Sequence, residues 1–397
     1  MNYVLADNKN TLADFYPLTF TRPAGELRVG ILTIAEKWQK RLSGDFSFLA
    51  EDYLRKKYIP TITNDNITIA SNILPDNDLA SAVEKLEKGC ALTNGQTIIA
   101  ARLDNEDTIN FFENREKLTL QAKPYNGKIS VINHTWDIFT LNEQEIERDF
   151  KLITAGRKSA QLSNTNRILQ PERIFIEEGA NAEFSIINPN GGYVYIGKDS
   201  TIMENAVIHG SLALCEHSTI KISAKIYGAT TLGPHSKAGG EIGNAVIWGY
   251  SNKGHDGFLG NAVLGQWCNL GADTNNSNLK NNYSEVKMWS YSKHRFVKTG
   301  LQFCGLIMGD HSKSSINTMF NTGTIVGVSA NIFGAGFPRN FVPSFSWGGS
   351  AGYEEYPLKR ALETAELVMK RRDTPLSETD IEILTNIFEK TAEFRNF

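Results

Sequence analysis

From Ile196 to Leu232 an aliphatic residue returns at every sixth position: Ile196, Ile202, Ile208, Leu214, Ile220, Ile226 and Leu232. Four residues after each stands Ser200, Ala206, Leu212, Ser218, Ala224, Thr230 or Ser236, nearly all small. A helix repeats near 3.6 and a strand at 2, so neither explains this beat. A short strand and a sharp corner, repeated around a three-sided coil, does. The aliphatic side chain fills the interior and the small one fits the corner. The pattern predicts a parallel β-helix of hexapeptide repeats. It starts weakly at Ile174, continues irregularly through Ile242, Ile247, Leu259, Leu264 and Leu270, and returns at Phe320, Val326 and Ile332. At roughly 18 residues per turn the region makes about seven to nine coils. Between the two runs, Asp273 to Lys298 is rich in Asn, Ser and Lys and reads as a loop leaving the coil. Long excursions of this kind often carry function.

The first part of the chain mixes strand and helix signals. Tyr3-Val4-Leu5 reads as a buried strand, and Ile67 to Ala70 as a second, ended by Pro75. Ile31, Ile34, Ala35, Trp38 and Leu42 carry helical spacing, and Leu79 to Leu86 reads as another helix. The alternation predicts an α/β layer domain. A further helix spans Leu141 to Leu152, with Asn142 or Thr140 as its cap and acidic residues in its first turn. After the glycine- and proline-rich stretch GAGFPRNFVPSFSWGG, two helices close the chain, Leu358 to Arg371 and Ile381 to Phe394. Ser377 with Asp380 marks the start of the second. The expected division is an α/β domain over 1–155, a β-helix over 156–350 and a helical tail over 351–397.

Composition narrows the class. The chain has 397 residues, 41% hydrophobic and 21% charged, which is ordinary for a globular protein. Its 41 basic and 44 acidic residues give a net charge of -3, which argues against a nucleic-acid-binding surface but leaves room for local phosphate pockets. Cys90, Cys215, Cys268 and Cys304 form no CxxC pair and no metal-ligand spacing. MNYVLADNKN lacks the basic and apolar segments of a secretory leader. No apolar run approaches the ~20 residues of a membrane span. A soluble cytoplasmic protein without membrane partners is expected.

The densest polar constellation is SNKGHDGFLGNAVLG, Ser251 to Gly265, followed by WCNLGADTNNSNLKNNY, Trp267 to Tyr283. His255 stands between Gly254 and Asp256-Gly257, and glycines allow close approach of a backbone or ligand. Histidine titrates near neutral pH and can take a proton from an amine or hydroxyl nucleophile. Asp256 and Glu241 are candidates to orient it. Taken alone, His255 reads first as a surface histidine at a coil corner. Asn269, Asn275, Asn276 and Asn278 can form a ladder or left-handed turns without any ligand.

This segment resembles SKAGH-x3-LG-x-A-x-IG-x3-NIGAGT-x3-N of the bifunctional N-acetylglucosamine-1-phosphate uridylyltransferase / glucosamine-1-phosphate acetyltransferases. The resemblance implies that the β-helix is left-handed, that it assembles as a homotrimer, and that acetyl-CoA is the acyl donor. It makes His255 the general base. Lys253 and Asn269 fall on sugar-phosphate ligands, Asn278 on a residue beside the base and the donor, and Ser315 on a serine near the donor. Phe258 and Leu279 stand where the family has tyrosines.

YPLTFTRPAGELRVG, Tyr16 to Gly30, resembles the sugar nucleotidyltransferase signature PLT-x3-PK-x-L-x-x-V of the same family. The glycine-rich phosphate loop is absent, replaced by LADNKNTLADF, and Ala24 stands in place of the lysine. Arg22 and Arg28 are left to bind phosphate, which arginine forks do well. The family's metal-binding Gly-Asp becomes Ser71-Asn72, so Mg²⁺ would rest on Asn72, a poorer ligand than aspartate. The FTRPxxELRVG, LITxGR and GYSNKGHDGFLG stretches together look like a shortened bacterial form of the bifunctional enzyme. The implied activity is N-acetylation of glucosamine 1-phosphate coupled to nucleotidyl transfer, giving UDP-N-acetylglucosamine from a nucleoside triphosphate. Three other readings stay open: a nucleotidyltransferase with a structural β-helix, an acyltransferase for another sugar, and a non-catalytic assembly protein.

Overall fold

The computed structural model describes residues 1–397. They form two compact units: Met1–Leu27 with Leu32–His134 and Glu378–Ile383, and Arg28–Ile31 with Thr135–Ser377 and Leu384–Phe397.

The first unit is an α/β sheet domain. Its strands are β1 (Asn2–Ala6), β2 (Asp45–Leu49), β3 (Asn66–Ala70), β4 (Ile73–Leu74), β5 (Cys90–Asn94), β6 (Thr97–Leu103), β7 (Gln121–Pro124) and β8 (Ser130–Val131). Six of them make one sheet in the order β2-β1-β3-β6-β5-β7. β1 runs parallel to β2 and β3, while β6 is antiparallel to both β3 and β5. Every residue of β3 is buried, as a central strand covered on both faces requires. The helices α1 (Ile34–Gln39), α2 (Asn77–Glu84) and α3 (Asn105–Asn114) start at Thr33, Asp76 and Asp104. Each cap side chain accepts a backbone N–H of the first turn, and Thr33 and Glu36 close a full capping box. The helix expected from Ile31 is therefore shorter than its apolar spacing. Gly30 sits at φ +81°, and Thr33 sets the true start.

The second unit is a parallel β-helix with the long helix α4 (Asp137–Thr154) and the tail helix α5 (Leu358–Lys370). A further helix, α6 (Glu378–Lys390), begins one residue after Ser377. α4 starts earlier than its periodicity suggests. Asn142 lies inside it rather than at its cap, and Thr140 donates its hydroxyl back to Trp136 O. Asn142 is fully buried: Oδ1 accepts Gly30 N–H at 2.8 Å and Nδ2 donates to Ala229 O at 2.8 Å.

The six-residue beat appears as continuous parallel ladders. Val194–Ile196, Leu212–Leu214 and Thr230–Leu232 stack on one face, with Ile196, Leu214 and Leu232 in register. On a second face Ile202 and Ile220 stack, followed by Ala238, Lys253, Leu270, Ser314 and Ile332. The aliphatic set of both faces is buried in one core. Just before each residue at the small position of one corner stands a residue in the left-handed region: Asp199, His217, His235, Tyr250, Trp267, His311, Ser329 and Phe345, all at φ 53° to 61°. Side chains with a Cβ enter this region at a cost. Here, from His217 onward, each of these residues donates its N–H to a carbonyl of the preceding coil. Rings at successive corners also stack, His217 on His235 at 4.8 Å, His235 on Tyr250 at 4.8 Å and Tyr250 on Trp267 at 4.2 Å.

The polar excursion is not a plain loop. Asn275–Asn276 still pairs in parallel with Met319–Phe320 on the coil. Lys287–Ser290 and Arg295–Lys298 then form an antiparallel hairpin. Met288 and Val297 alternate with lysines there, a period-two pattern hidden by the polar composition.

Candidate functional site

The second face of the β-helix alternates interior and outward residues. Its outward row runs Lys237, Asn252, Asn269, Lys313 in direct register. The C-terminal end of α5 brings Val368, Arg371 and Arg372 to the same place, and basic groups suit a helix C-terminus. Arg372 Nη2 donates to Asn252 Oδ1 at 3.3 Å. Between them lies a crevice of about 770 Å³ that His255 also lines, with Tyr250 and Trp267 as an aromatic wall. Five cations line it, Lys221, Lys237, Lys313, Arg371 and Arg372, and no carboxylate does. Partial burial, then Arg372, Lys221 and Arg371, hold the Lys237 ammonium below its ordinary range. Burial pushes Lys313 down to about 8. Burial, His217 and Arg372 also lower His235. Cations crowded without counter-charges form a receptor for an anion.

His255 is exposed at the mouth of this crevice, and its imidazole has no partner within the chain. Gly254 leaves open space beside it, whereas Gly257, at φ +107°, presses on Thr274 O, where a Cβ would collide. Glu241 does not orient His255; its carboxylate accepts Tyr227 OH at 2.7 Å. Asn269 lines the crevice, while Asn278 and Ser315 are not among its lining residues. Asn278 Nδ2 instead donates to Asn261 Oδ1 at 2.8 Å, and Ser315 Oγ donates to Ile316 O at 3.2 Å.

Lys253 stands at an interior position, in register with Ala238, and is 1% exposed. Its ammonium donates to Gly239 O at 3.1 Å, His255 O at 2.5 Å and Asp256 O at 3.0 Å. Burial lowers it to about 8. It thus clamps the turn that carries His255 and does not reach for a phosphate. An interior lysine on a hexapeptide beat looks like an interruption of the repeat, which is why its role is not legible in the spacing.

In the first unit the carboxyl ends of β1 and β3 meet around Asp7, the usual ligand end of an open α/β sheet. Asp7 is buried: Oδ1 accepts Ser71 Oγ–H at 2.5 Å and Ala24 N–H at 3.0 Å, while Oδ2 has no partner. Burial raises its carboxyl to about 6. Arg115 donates to Asp7 O at 2.6 Å and stacks over Phe111. Arg22 is buried in this unit, with Nη2 3.2 Å from Thr21 Oγ1. Arg28 belongs to the second unit, where it donates to Ile31 O. Asn72 Nδ2 donates to Ile132 O at 2.8 Å. No group of three or more His, Cys, Asp or Glu is placed to hold a metal ion, and Asn72, a neutral amide whose Nδ2 is already engaged by Ile132 O, does not fit Mg²⁺.

Sequence reasoning missed Lys221, Lys237, Lys313, Arg371 and Arg372. The signals were present as Lys237 and Lys313 one position before interior residues, as Lys221 just after the interior Ile220, and as a Lys370-Arg371-Arg372 run closing a helix.

Residues 3–158 match the model of a sugar nucleotidyl transferase family. On that match the protein is a transferase. No curated protein matches the chain. Among solved structures, the polySia-specific acetyltransferase NeuO is 13% identical, covers 54% of this chain and 97% of its own, and has a TM-score of 0.28. A UDP-N-acetylglucosamine acyltransferase from Francisella novicida is 12% identical over 58% of this chain and 92% of its own, at 0.25. LpxA, a UDP-N-acetylglucosamine acyltransferase from Bacteroides fragilis 9343, is 18% identical over 58% and 91%, also at 0.25. Similarity at this level defines neither activity nor substrate. No helix is long and apolar enough to cross a membrane.

Proposed function

We propose that the protein acylates an anionic amino sugar, transferring acetyl from acetyl-CoA to glucosamine 1-phosphate, with His255 as general base. The observation that carries this reading is the crevice of five cations with one unpartnered imidazole at its mouth. The cations and Asn269 hold the phosphate. His255 takes a proton from the amine as nitrogen attacks the thioester carbonyl; the C–S bond breaks and CoA leaves as the thiol. The family match over residues 3–158 supports a second half-reaction, joining a nucleoside triphosphate to the sugar 1-phosphate with release of pyrophosphate, to give UDP-N-acetylglucosamine. Assembly as a homotrimer, with the crevice lying in a groove between protomers, completes the proposal.

The test is to incubate the purified protein with glucosamine 1-phosphate, acetyl-CoA, Mg²⁺ and each nucleoside triphosphate, following CoA and pyrophosphate separately. His255→Ala is expected to lower CoA release about 10²–10⁴-fold. A fully active alanine variant overturns the role of His255. Pyrophosphate without CoA overturns the acyl transfer. A light-scattering mass near the 44.1 kDa of one chain overturns the trimer.

A further inference from the structure

A second cavity of about 800 Å³ lies in the β-helix unit, among the excursion hairpin, the last coils and the chain end at Phe394–Phe397. None of its lining residues belongs to the His255 crevice. Six rings line it: Trp289, Phe296, Phe341, Tyr353, Phe394 and Phe397. Trp289 lies flat against Phe341, with centroids 4.5 Å apart and planes within 9°, while Phe296 meets Trp289 edge-on at 5.5 Å. Three cations stand at the same cavity: Lys280, whose Nζ donates to Glu285 O at 3.0 Å, and Lys287 and Arg339, both exposed and without a carboxylate partner; no acidic residue lines the wall. The amides of Asn321, Asn340 and Asn396 line it too. Trp289 Nε1 is buried without a hydrogen-bond partner within the chain.

A hydrocarbon tail has no use for three cations and three amides, and a bare sugar phosphate has no use for six rings. We propose that this cavity binds a nucleotide: the base lies among the aromatic rings with its edge on the asparagines, and the phosphate rests on Lys287 and Arg339. Base–aromatic stacking and phosphate pairing together match this wall. The volume lies within the usual range for a small-molecule site. Two sources share this chemistry, the nucleotide head of an acyl-CoA and a free nucleoside triphosphate.

Calorimetric titration of the full chain with adenosine 3′,5′-bisphosphate, ATP, UTP and inorganic phosphate tests the proposal. One of the nucleotides is expected to bind at least tenfold tighter than inorganic phosphate. Trp289→Leu is expected to weaken it roughly 5- to 100-fold, the weight of one stacked base. Lys287→Glu, at an exposed position, is expected to weaken it at least fivefold with the thermal transition unchanged. His255→Ala leaves this binding intact, so the result stands apart from the acyl-transfer reading. If the bisphosphate binds and Lys287→Glu raises KM for acetyl-CoA, the occupant is the acyl donor's head. If a triphosphate binds and that KM does not move, it is a free nucleotide. The proposal is overturned if no nucleotide outbinds inorganic phosphate, or if Lys287→Glu leaves Kd within twofold. Weakening by Lys287→Glu but not by a folded Trp289→Leu also overturns it, since only a surface anion site would remain.

Discussion

Asp7 offers the sharpest test of the electrostatics of the α/β unit. Its carboxyl is raised from an ordinary 3.8 to about 6, chiefly by burial. Between those values the folded state binds more protons than the unfolded one. The contribution of Asp7 is therefore fully present below pH 3.8, falls as pH rises through the window, and is gone above about 6. Roughly two pKa units at about 1.4 kcal/mol each make this about 3 kcal/mol. Asp7→Asn keeps an oxygen for Ser71 and Ala24 and replaces the unpartnered oxygen by an uncharged amide nitrogen. The new buried donor costs about 1 kcal/mol, so the net gain above pH 7 is about 2 kcal/mol. Near pH 4 the variant is no more stable than the parent. Urea melts of both proteins from pH 4 to 8, followed by circular dichroism, read the difference directly. The gap should widen by about 3 kcal/mol across that range. Parallel curves, with a gap independent of pH, would refute the burial argument.

Lys253→Met is expected to lower acetyl transfer at least tenfold while leaving KM for the sugar phosphate nearly unchanged, because the lysine holds the turn of His255; a rise in KM alone would make it a phosphate ligand after all. The folded pKa of Lys253 is depressed to about 8 from 10.5, so the parent gains stability as pH rises through that window and the methionine variant does not, a difference of up to about 3 kcal/mol in melts from pH 7.5 to 10.5. Asn142→Ala strands the buried Gly30 N–H and Ala229 O and is expected to cost about 2–4 kcal/mol in the urea transition of the β-helix unit, and a loss under 1 kcal/mol would show those groups find other partners.

The repeat was legible because one interior position per six residues must be apolar, and Ile196 through Leu232 obey it without exception. The strands of β5 and β6 escaped notice because residues 90–103 alternate weakly and contain many small residues. The hairpin over residues 287–298 was hidden by its lysines. At the site, the GHDG turn and Asn269 announced themselves by residue type. The cations around them did not, since Lys237 and Lys313 come to one row only through the parallel register, and Arg371 and Arg372 reach the crevice only through the placing of α5. The inward placing of Lys253 was not legible, because residue type alone does not tell an inward lysine from an outward one.

The excursion leaves the coil and comes back without disturbing it. Leu279 and Phe303 bridge at its neck, Cys304 N–H donates to Asn278 O, and Gly305 N–H donates to Asn261 O. Across that neck the corner stack still continues from Trp267 to His311 at 6.3 Å. Such a joint works like a tailor's dart: cloth can be added or cut away above the stitch while the seam below keeps its line. Whole appendages can therefore be exchanged at this point over evolutionary time, with the solenoid beneath them unaltered.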